Sequence, residues 1–390
     1  MSRNEATDHP VRTSPLSEKI IAFTKLSYTV INGCGRFRGA PGNLNIRTLL
    51  GGRTLRRTTL LSATLAGFIA APVAATADEL VLYCSVQEEW CRLMAESFQR
   101  ETGVNVLMTR RSSGETFAQL MAERDQPRGD VWWGGTGDPH LQAAEEGLTA
   151  VYESPMMEEL QDWALSQAEA SGNRTIGIYA GALGYGYNRD LVDDPAPACW
   201  ADLLEERFAD DVQVANPNSS GTAYTLLATL VQIMGEDEAF EFLGELDQNI
   251  SQYTQSGAAP IRNAATGETA IGIVFLHDAV AQAVQGAPIG SVAPCEGTGY
   301  EIGSMSLVEG GPNPDNARLF YDWALSPEAQ ALGAEANSFQ VPSNVNAPVP
   351  PESPSLDEIT LIDYDFATYG SSEVRQHLLA RWDAEIGSQR

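Results

Sequence analysis

From Leu80 onward, short apolar runs alternate with amphipathic stretches, and this alternation restricts the chain to an α/β fold. Residues 80–84 read as a strand and 88–100 as a helix. Residues 104–109 form a second strand, 116–124 a helix, and 131–133 a third strand. That βαβαβ order builds a parallel sheet with helices on its faces. A second set follows: strand 212–215, helices 224–234 and 236–244, buried strand 270–275, helix 279–285 and strand 289–293. Between the sets, 176–187 reads as two short strand pieces rich in Gly and Tyr, and 300–308 as the return connection. Helices over 316–325, 327–336 and 373–386 close the chain, and the proline-rich 348–354 is a surface linker. The 313 residues from Asp78 exceed a typical single domain, so two lobes are expected. Lobe one takes 78–185 plus 301–390, and lobe two takes 186–300. The chain leaves lobe one once and returns once.

The first 77 residues read differently. Arg53, Arg56 and Arg57 precede an apolar run over 60–70, and Ala75-Thr76-Ala77 fits a small-x-small cleavage site. A cleavable export signal is expected, with cleavage near Ala77. The run is too short for a stable membrane span. Arg56-Arg57 suits a twin-arginine signal and the following Thr58-Thr59 ordinary secretion, so both routes stay open. Residues 1–45 have no evident role, and a start codon set too far upstream accounts for them.

Beyond the signal the chain holds fourteen arginines, no lysine and forty-nine acidic residues, a net charge of −35. Nucleic acid and anionic membrane are poor partners for such a surface. Cys84, Cys91, Cys199 and Cys295 form an even set in an exported chain, which suggests disulfides. Of the three pairings, a local Cys84–Cys91 loop with Cys199–Cys295 is favoured. No CxxC or His/Cys cluster marks a structural metal, and no cofactor is implied.

Three Ser/Thr/Gly turns sit at C-terminal strand ends: Ser112-Ser113-Gly114, the turn over 134–137 with Gly135 and Thr136, and Ser219-Ser220-Gly221-Thr222. In open α/β sheets ligands bind outside those ends. The first amides of a helix are unpaired donors that suit an anion. Three such ends converging from two lobes would make an anion cradle without needing an arginine. The competing role is capping, since Ser113 and Thr222 would cap their helices in any case. Tyr83, Trp132, Trp133, Tyr185 and Tyr224 lie in the same region. Neighbours on a strand point to opposite faces, so one of Trp132 and Trp133 belongs to the core and the other to the cleft wall.

His277-Asp278 follows an apolar strand. An imidazole and a carboxylate there suit hydroxyl binding, a metal or acid–base work. The plainer role is N-capping by Asp278. No Ser-His-Asp, paired-carboxylate or HExxH pattern accompanies the pair, so no catalytic residue is assigned and an enzyme is not expected.

Several stretches resemble one family in order: 80–85, Glu101-Thr102-Gly103-Val104, 130–133 with Glu146-Gly147-Leu148, and 324–330 leading to Gln340-Val341-Pro342-Ser343-Asn344. The chain resembles periplasmic solute-binding proteins of ABC transporters, in the ferric-binding-protein-like type II family. The resemblance implies a two-lobed fold, each lobe a mainly parallel sheet flanked by helices, joined by a two-segment hinge. It also implies a periplasmic location, an inner-membrane ABC permease as partner, no membrane insertion and a monomer. Ferric binders of this family place a tyrosine pair where this chain has His277-Asp278, a His where it has Gln87, and a carboxylate where it has Gly134-Gly135. Ferric ion favours phenolate and carboxylate oxygens, so iron does not follow from the family. The chain more closely resembles the hexose-phosphate-binding branch, through the turn from Trp132 to His140, the His-Asp pair and a Glu corresponding to Glu301. In that branch His, Asp and Glu hold sugar hydroxyls, while Ser/Thr groups and helix amides hold phosphate. The expected ligand is a small phosphorylated anion, with a sugar phosphate first. Ferric iron or an iron chelate, a phosphonate, thiamine-like or polyamine ligand, and phosphate-ester hydrolysis are the alternatives.

Overall fold

The computed structural model describes residues 78–389, so the export signal expected over 1–77 lies outside the described residues. The chain begins with β1 (Glu79–Cys84), α1 (Glu88–Thr102), β2 (Asn105–Arg110), α2 (Ser113–Ala122), β3 (Val131–Thr136), α3 (Gly137–Glu145), α4 (Asp162–Ala170) and β4 (Ile176–Asn188). It continues through β5 (Val212–Ala215), α5 (Gly221–Met234), α6 (Glu236–Asp247), β6 (Ile250–Thr254), α7 (Ala259–Thr266), β7 (Ile271–Phe275), α8 (Leu276–Val284), β8 (Ile289–Val292) and β9 (Tyr300–Leu307). The last part holds α9 (Pro314–Ala324), α10 (Pro327–Glu335), β10 (Val341–Pro342), α11 (Phe366–Tyr369) and α12 (Ser372–Glu385).

Local chemistry sets these limits. α1 buries Trp90, Met94 and Phe98 on one face and stops at Gly103, whose φ of 79° few other residues adopt without strain. α10 starts where the Ser326 hydroxyl accepts the Ala329 N–H and Pro327 occupies the first turn. The strands run in the order β2-β1-β3-β9-β4-β7-β5-β6, with β8 and β10 also pairing with β4. β1, β2 and β3 are mutually parallel neighbours, as are β7, β5 and β6. β9 and β4 join the two parallel sets with antiparallel pairings.

β4 is the pivot of this arrangement. The two pieces expected in 176–187 are one 13-residue strand. Its first half pairs with β9 from Ile176 to Ala182, and its second half pairs with β7 from Leu183 to Tyr187. One strand therefore belongs to both lobes. Each lobe has its own core, one built around Trp133, Phe98 and Phe320, the other around Trp200, Tyr224 and Phe275.

The C-terminal segment departs from the expected division. Residues 301–390 do not all return to lobe one: Tyr364, Leu378, Trp382 and Ile386 belong to the second core. The cause is the apolar face of α12, whose Trp382 packs edge-on to Tyr253 of β6 at 5.4 Å. A third crossing therefore joins the two expected ones, held where the Thr298 N–H donates to the Thr360 carbonyl and the Ile362 N–H to the Thr298 carbonyl, both at 2.9 Å.

Both favoured disulfides are formed, Cys84–Cys91 and Cys199–Cys295. The first ties the end of β1 to α1 and closes a loop containing Ser85, Val86 and Gln87. Replacing Cys84 and Cys91 by Ala is expected to destabilise the protein by about 2.5 kcal/mol, from the entropy of so short a loop. Urea unfolding of the purified protein checks this. An unchanged midpoint would show that the unfolded chain already holds that loop closed. Among the described residues no helix is long and apolar enough to cross a membrane.

Candidate functional site

The C-terminal ends of β1, β2, β3, β5 and β7 all open onto one cleft between the two cores. The cleft encloses about 430 Å³, counting its open mouth. Its lining includes Ser112, Ser113, Gly135 and Thr136 from lobe one, Ser220, Gly221, Thr222, His277 and Asp278 from lobe two, and Glu301 from the first residues of β9. Ser219 is the exception. Its hydroxyl turns back to the carbonyls of Asn216 and Gln255, and its own carbonyl accepts the Gly114 N–H at 3.1 Å. It holds the lobes together and does not face the cleft.

The walls touch at several points. The Ser112 hydroxyl donates to the Gln255 carbonyl at 3.2 Å, and the Gln87 side-chain amide donates to Asp278 from the opposite lobe. The structure is thus the closed form of a two-lobed clamp. The closeness explains two glycines. A Cβ on Gly221 would lie 1.8 Å from the Thr136 hydroxyl oxygen, and one on Gly181 would lie 2.5 Å from His277 Nδ1.

Capping accounts for part of the first turn only, where Ser112 and Glu115 form a capping box on α2. The capping positions of α2, α3 and α5 are Ser112, Thr136 and Ser220, so neither Ser113 nor Thr222 is a cap. Neither the Thr136 nor the Ser220 side chain makes a capping bond. The Thr136 hydroxyl is buried in the cleft wall with no partner. An unpaired buried hydroxyl is costly without a ligand or water to meet it. Asp278 is not a cap either. α8 begins at Leu276, so His277 and Asp278 both lie inside its first turn.

His277, Asp278 and Glu301 form the opposite end of the cleft. His277 Nε2 lies 3.9 Å from Asp278 Oδ2 and 3.8 Å from Glu301 Oε1. Burial pushes the His277 pKa below its usual value, which leaves a neutral ring. Its Nδ1 has no partner. Burial, reinforced by Asp278 and Asp138, holds the Glu301 carboxyl well above the ordinary carboxylate range. A neutral imidazole beside two carboxyl groups in this geometry offers mixed donors and acceptors, which is what a row of hydroxyls requires.

The sequence reading missed Arg110. This residue ends β2 and lines the cleft. Its Nε–H donates to the Val86 carbonyl at 2.9 Å and an Nη2–H to the Ser256 hydroxyl at 3.2 Å. Three of its five N–H donors remain, and no carboxylate pairs with it among the described residues. The cradle, which the three helix ends could form without an arginine, does contain one. Its signal in sequence was only a cation next to the Ser112 turn, and Arg111 beside it is exposed. The aromatic expectation also changes. Trp132 stacks on His140 at 3.6 Å in one part of the lobe-one core, and Trp133 packs on Trp90 in another. The cleft wall takes Tyr179 instead, whose hydroxyl accepts the Gly135 N–H at 2.9 Å.

A family profile of bacterial extracellular solute-binding proteins matches residues 137–368. The chain belongs to this family. An uncharacterised protein of Haemophilus influenzae is 44% identical to this solute-binding protein over 326 residues, covering 82% of this chain and 94% of that one. The periplasmic binding protein AfuA of Actinobacillus pleuropneumoniae, solved with exogenous fructose 6-phosphate bound, is 43% identical with a TM-score of 0.77. That match covers 79% of this chain and 98% of AfuA. The periplasmic binding protein P5PA is 38% identical with the same TM-score, over 79% of this chain and 99% of its own. Iron-binding proteins at 18–19% identity share the fold alone. As a member of this family the chain is an extracellular solute-binding protein.

Proposed function

We propose that the solute is a sugar phosphate, held with its phosphate among the three helix N-termini and its hydroxyls against His277, Asp278 and Glu301. The observation that carries this reading is Arg110, a cation without an ion pair that shares the cleft with three helix ends. Helix amides and a guanidinium together favour a phosphate over a neutral or cationic ligand. The polyamine alternative fails on the same charge. AfuA, seen with fructose 6-phosphate, is the similar protein that supports the sugar. Export to the periplasm through the signal over 1–77, action as a monomer, and delivery to a membrane permease complete the proposal.

Ferric iron fits less well. Tyr179 is the only phenol on the cleft lining, and burial together with Glu301 holds its pKa well above the usual value. A phenol kept protonated is a poor ligand for a hard cation.

Fructose 6-phosphate is expected to stabilise the protein by about 2.7 kcal/mol at a hundred times its dissociation constant. Thermal unfolding with fructose 6-phosphate, fructose and inorganic phosphate tests the assignment. No shift with any phosphorylated sugar sinks it. Release of phosphate during incubation would instead favour a hydrolase. His277→Ala is expected to weaken fructose 6-phosphate about tenfold while leaving any binding of inorganic phosphate in place. Equal losses for both would put His277 outside the sugar end.

A further inference from the structure

Three buried side-chain atoms on the cleft lining have no partner among the described residues: the Thr136 hydroxyl, His277 Nδ1 and Gln340 Oε1. Thr136 stands at the phosphate end and His277 at the hydroxyl end. Gln340 has no part in the site as described so far. It is 5% exposed, and its side-chain amide makes no hydrogen bond among the described residues.

The other glutamine of the lining, Gln87, is already committed. Its N–H donates to Asp278 across the cleft, and its Oε1 accepts the Ser338 hydroxyl at 3.3 Å. Gln340 stands two residues beyond Ser338, immediately before β10. In β10, Val341 pairs with Ala180 and Pro342 with Tyr179 of β4. On its other edge β4 pairs with β9, with Gly181 beside Glu301. A Cβ on Gly181 would lie 2.5 Å from His277 Nδ1 and 3.7 Å from Glu301 Oε1, so both side chains stand over the sheet face at that point. Gln340 flanks the same face from the lobe-one side.

The backbone that carries Gln340 is well held. The Gln330 side chain on α10 donates to the Ser343 hydroxyl and accepts the Asn344 N–H, both at 2.8 Å. The Ser343 N–H donates to the Ile178 carbonyl of β4 at 3.1 Å. Packing gives no reason for an amide at this position. The hollow behind it is lined by Trp90, Met94 and Trp133, which suit an apolar side chain. A buried amide without a partner lowers stability, and such a cost is kept where function needs it.

We propose that the Gln340 amide is a specificity contact for one hydroxyl of the solute, made from lobe one opposite His277 and Asp278. The proposal rests on the reading of the cleft as a sugar-phosphate site. A hydroxyl donates to Oε1 or accepts from Nε2, so it satisfies the amide in either orientation. A sugar that meets Gln340 on one side and α8 on the other bridges the lobes at its hydroxyl end. Its hydroxyl pattern, and not only its phosphate, then decides how well the clamp stays closed. A solute lacking that hydroxyl leaves the amide unpaired in the closed cleft and is rejected for that reason. A side chain already fixed in position makes the contact with little further loss of freedom.

The test is calorimetry on the intact protein and Gln340→Met, with fructose 6-phosphate and with analogues that each lack one of its ring-form hydroxyls. Methionine keeps the unbranched shape and removes the amide. Gln340→Met should bind fructose 6-phosphate about tenfold more weakly. One analogue should lose about tenfold on the intact protein and almost nothing on Gln340→Met, because the same bond is lost only once. Fructose 6-phosphate affinity within twofold of the intact protein, or equal losses on both proteins for every analogue, overturns the contact. Failure of the intact protein to bind fructose 6-phosphate refutes the ligand reading only. Gln340 is then judged by thermal unfolding of the ligand-free proteins. A midpoint in Gln340→Met at or above that of the intact protein supports an amide kept for a solute, since no bond within the protein is lost. A lower midpoint, or a variant that does not fold, shows a structural amide and overturns the proposal.

Discussion

Gly221→Ala is expected to abolish high-affinity solute capture while leaving the protein folded. The added Cβ meets Thr136 of the opposite lobe at 1.8 Å from its hydroxyl oxygen, 2.9 Å from its Cβ and 3.0 Å from its Cγ2. Rotating the threonine only exchanges one overlap for another, because a β-branched side chain has a heavy atom in two of its three positions. The helix itself gains from the change, since Ala suits the first turn of α5 at least as well as Gly. The strain therefore falls on the contact between lobes. Overpacking of about 3 kcal/mol weakens binding roughly a hundredfold. Calorimetry with fructose 6-phosphate measures the loss, and circular dichroism confirms the fold. Binding within a factor of two of the intact protein would mean that the loaded clamp does not bring α3 and α5 together in this way.

Arg110→Met is the second large effect. Methionine keeps the apolar stem and removes the charge and all five donors. Truncating one partner of a buried charge pair costs about 2–5 kcal/mol, because the other charge stays desolvated. Fructose 6-phosphate binding should fall roughly thirty-fold to several thousand-fold. Fructose or another unphosphorylated sugar should be nearly indifferent to the change. Equal losses for both ligands would place Arg110 in a structural role, holding Val86 and Ser256 in position rather than meeting the phosphate.

Arg110 also shows where reading the sequence ran out. The turns that line the cleft were legible, because Ser, Thr and Gly next to a strand end have a local reason to be there. His277-Asp278 was legible as a polar pair interrupting an apolar run. Arg110 was one arginine among several, and nothing local separates it from exposed Arg111. The two differ because Arg110 is the last residue of β2, paired with Cys84 at the cleft end of β1, whereas Arg111 lies beyond the strand and is exposed. Ser219 failed for the converse reason. Its type matched its neighbours, but the turn directs its hydroxyl back to Gln255.

β1, β2, β3, β5 and β7 followed from sequence, because their apolar periodicity is local, whereas β6 and α7 of the second set did not. Of the two disulfides Cys84–Cys91 is a local loop, while Cys199–Cys295 spans 96 residues. The continuous β4 and the lobe that α12 joins did not follow from sequence. A strand shared by two sheets reads as two pieces, since each half satisfies a different partner. The face of α12 seeks apolar surface, and both lobes offer some. Glu145 of α3 and Ser372 of α12 meet at 2.9 Å only because α12 lies against the first lobe's helix, a contact between segments far apart in the chain that no local pattern encodes.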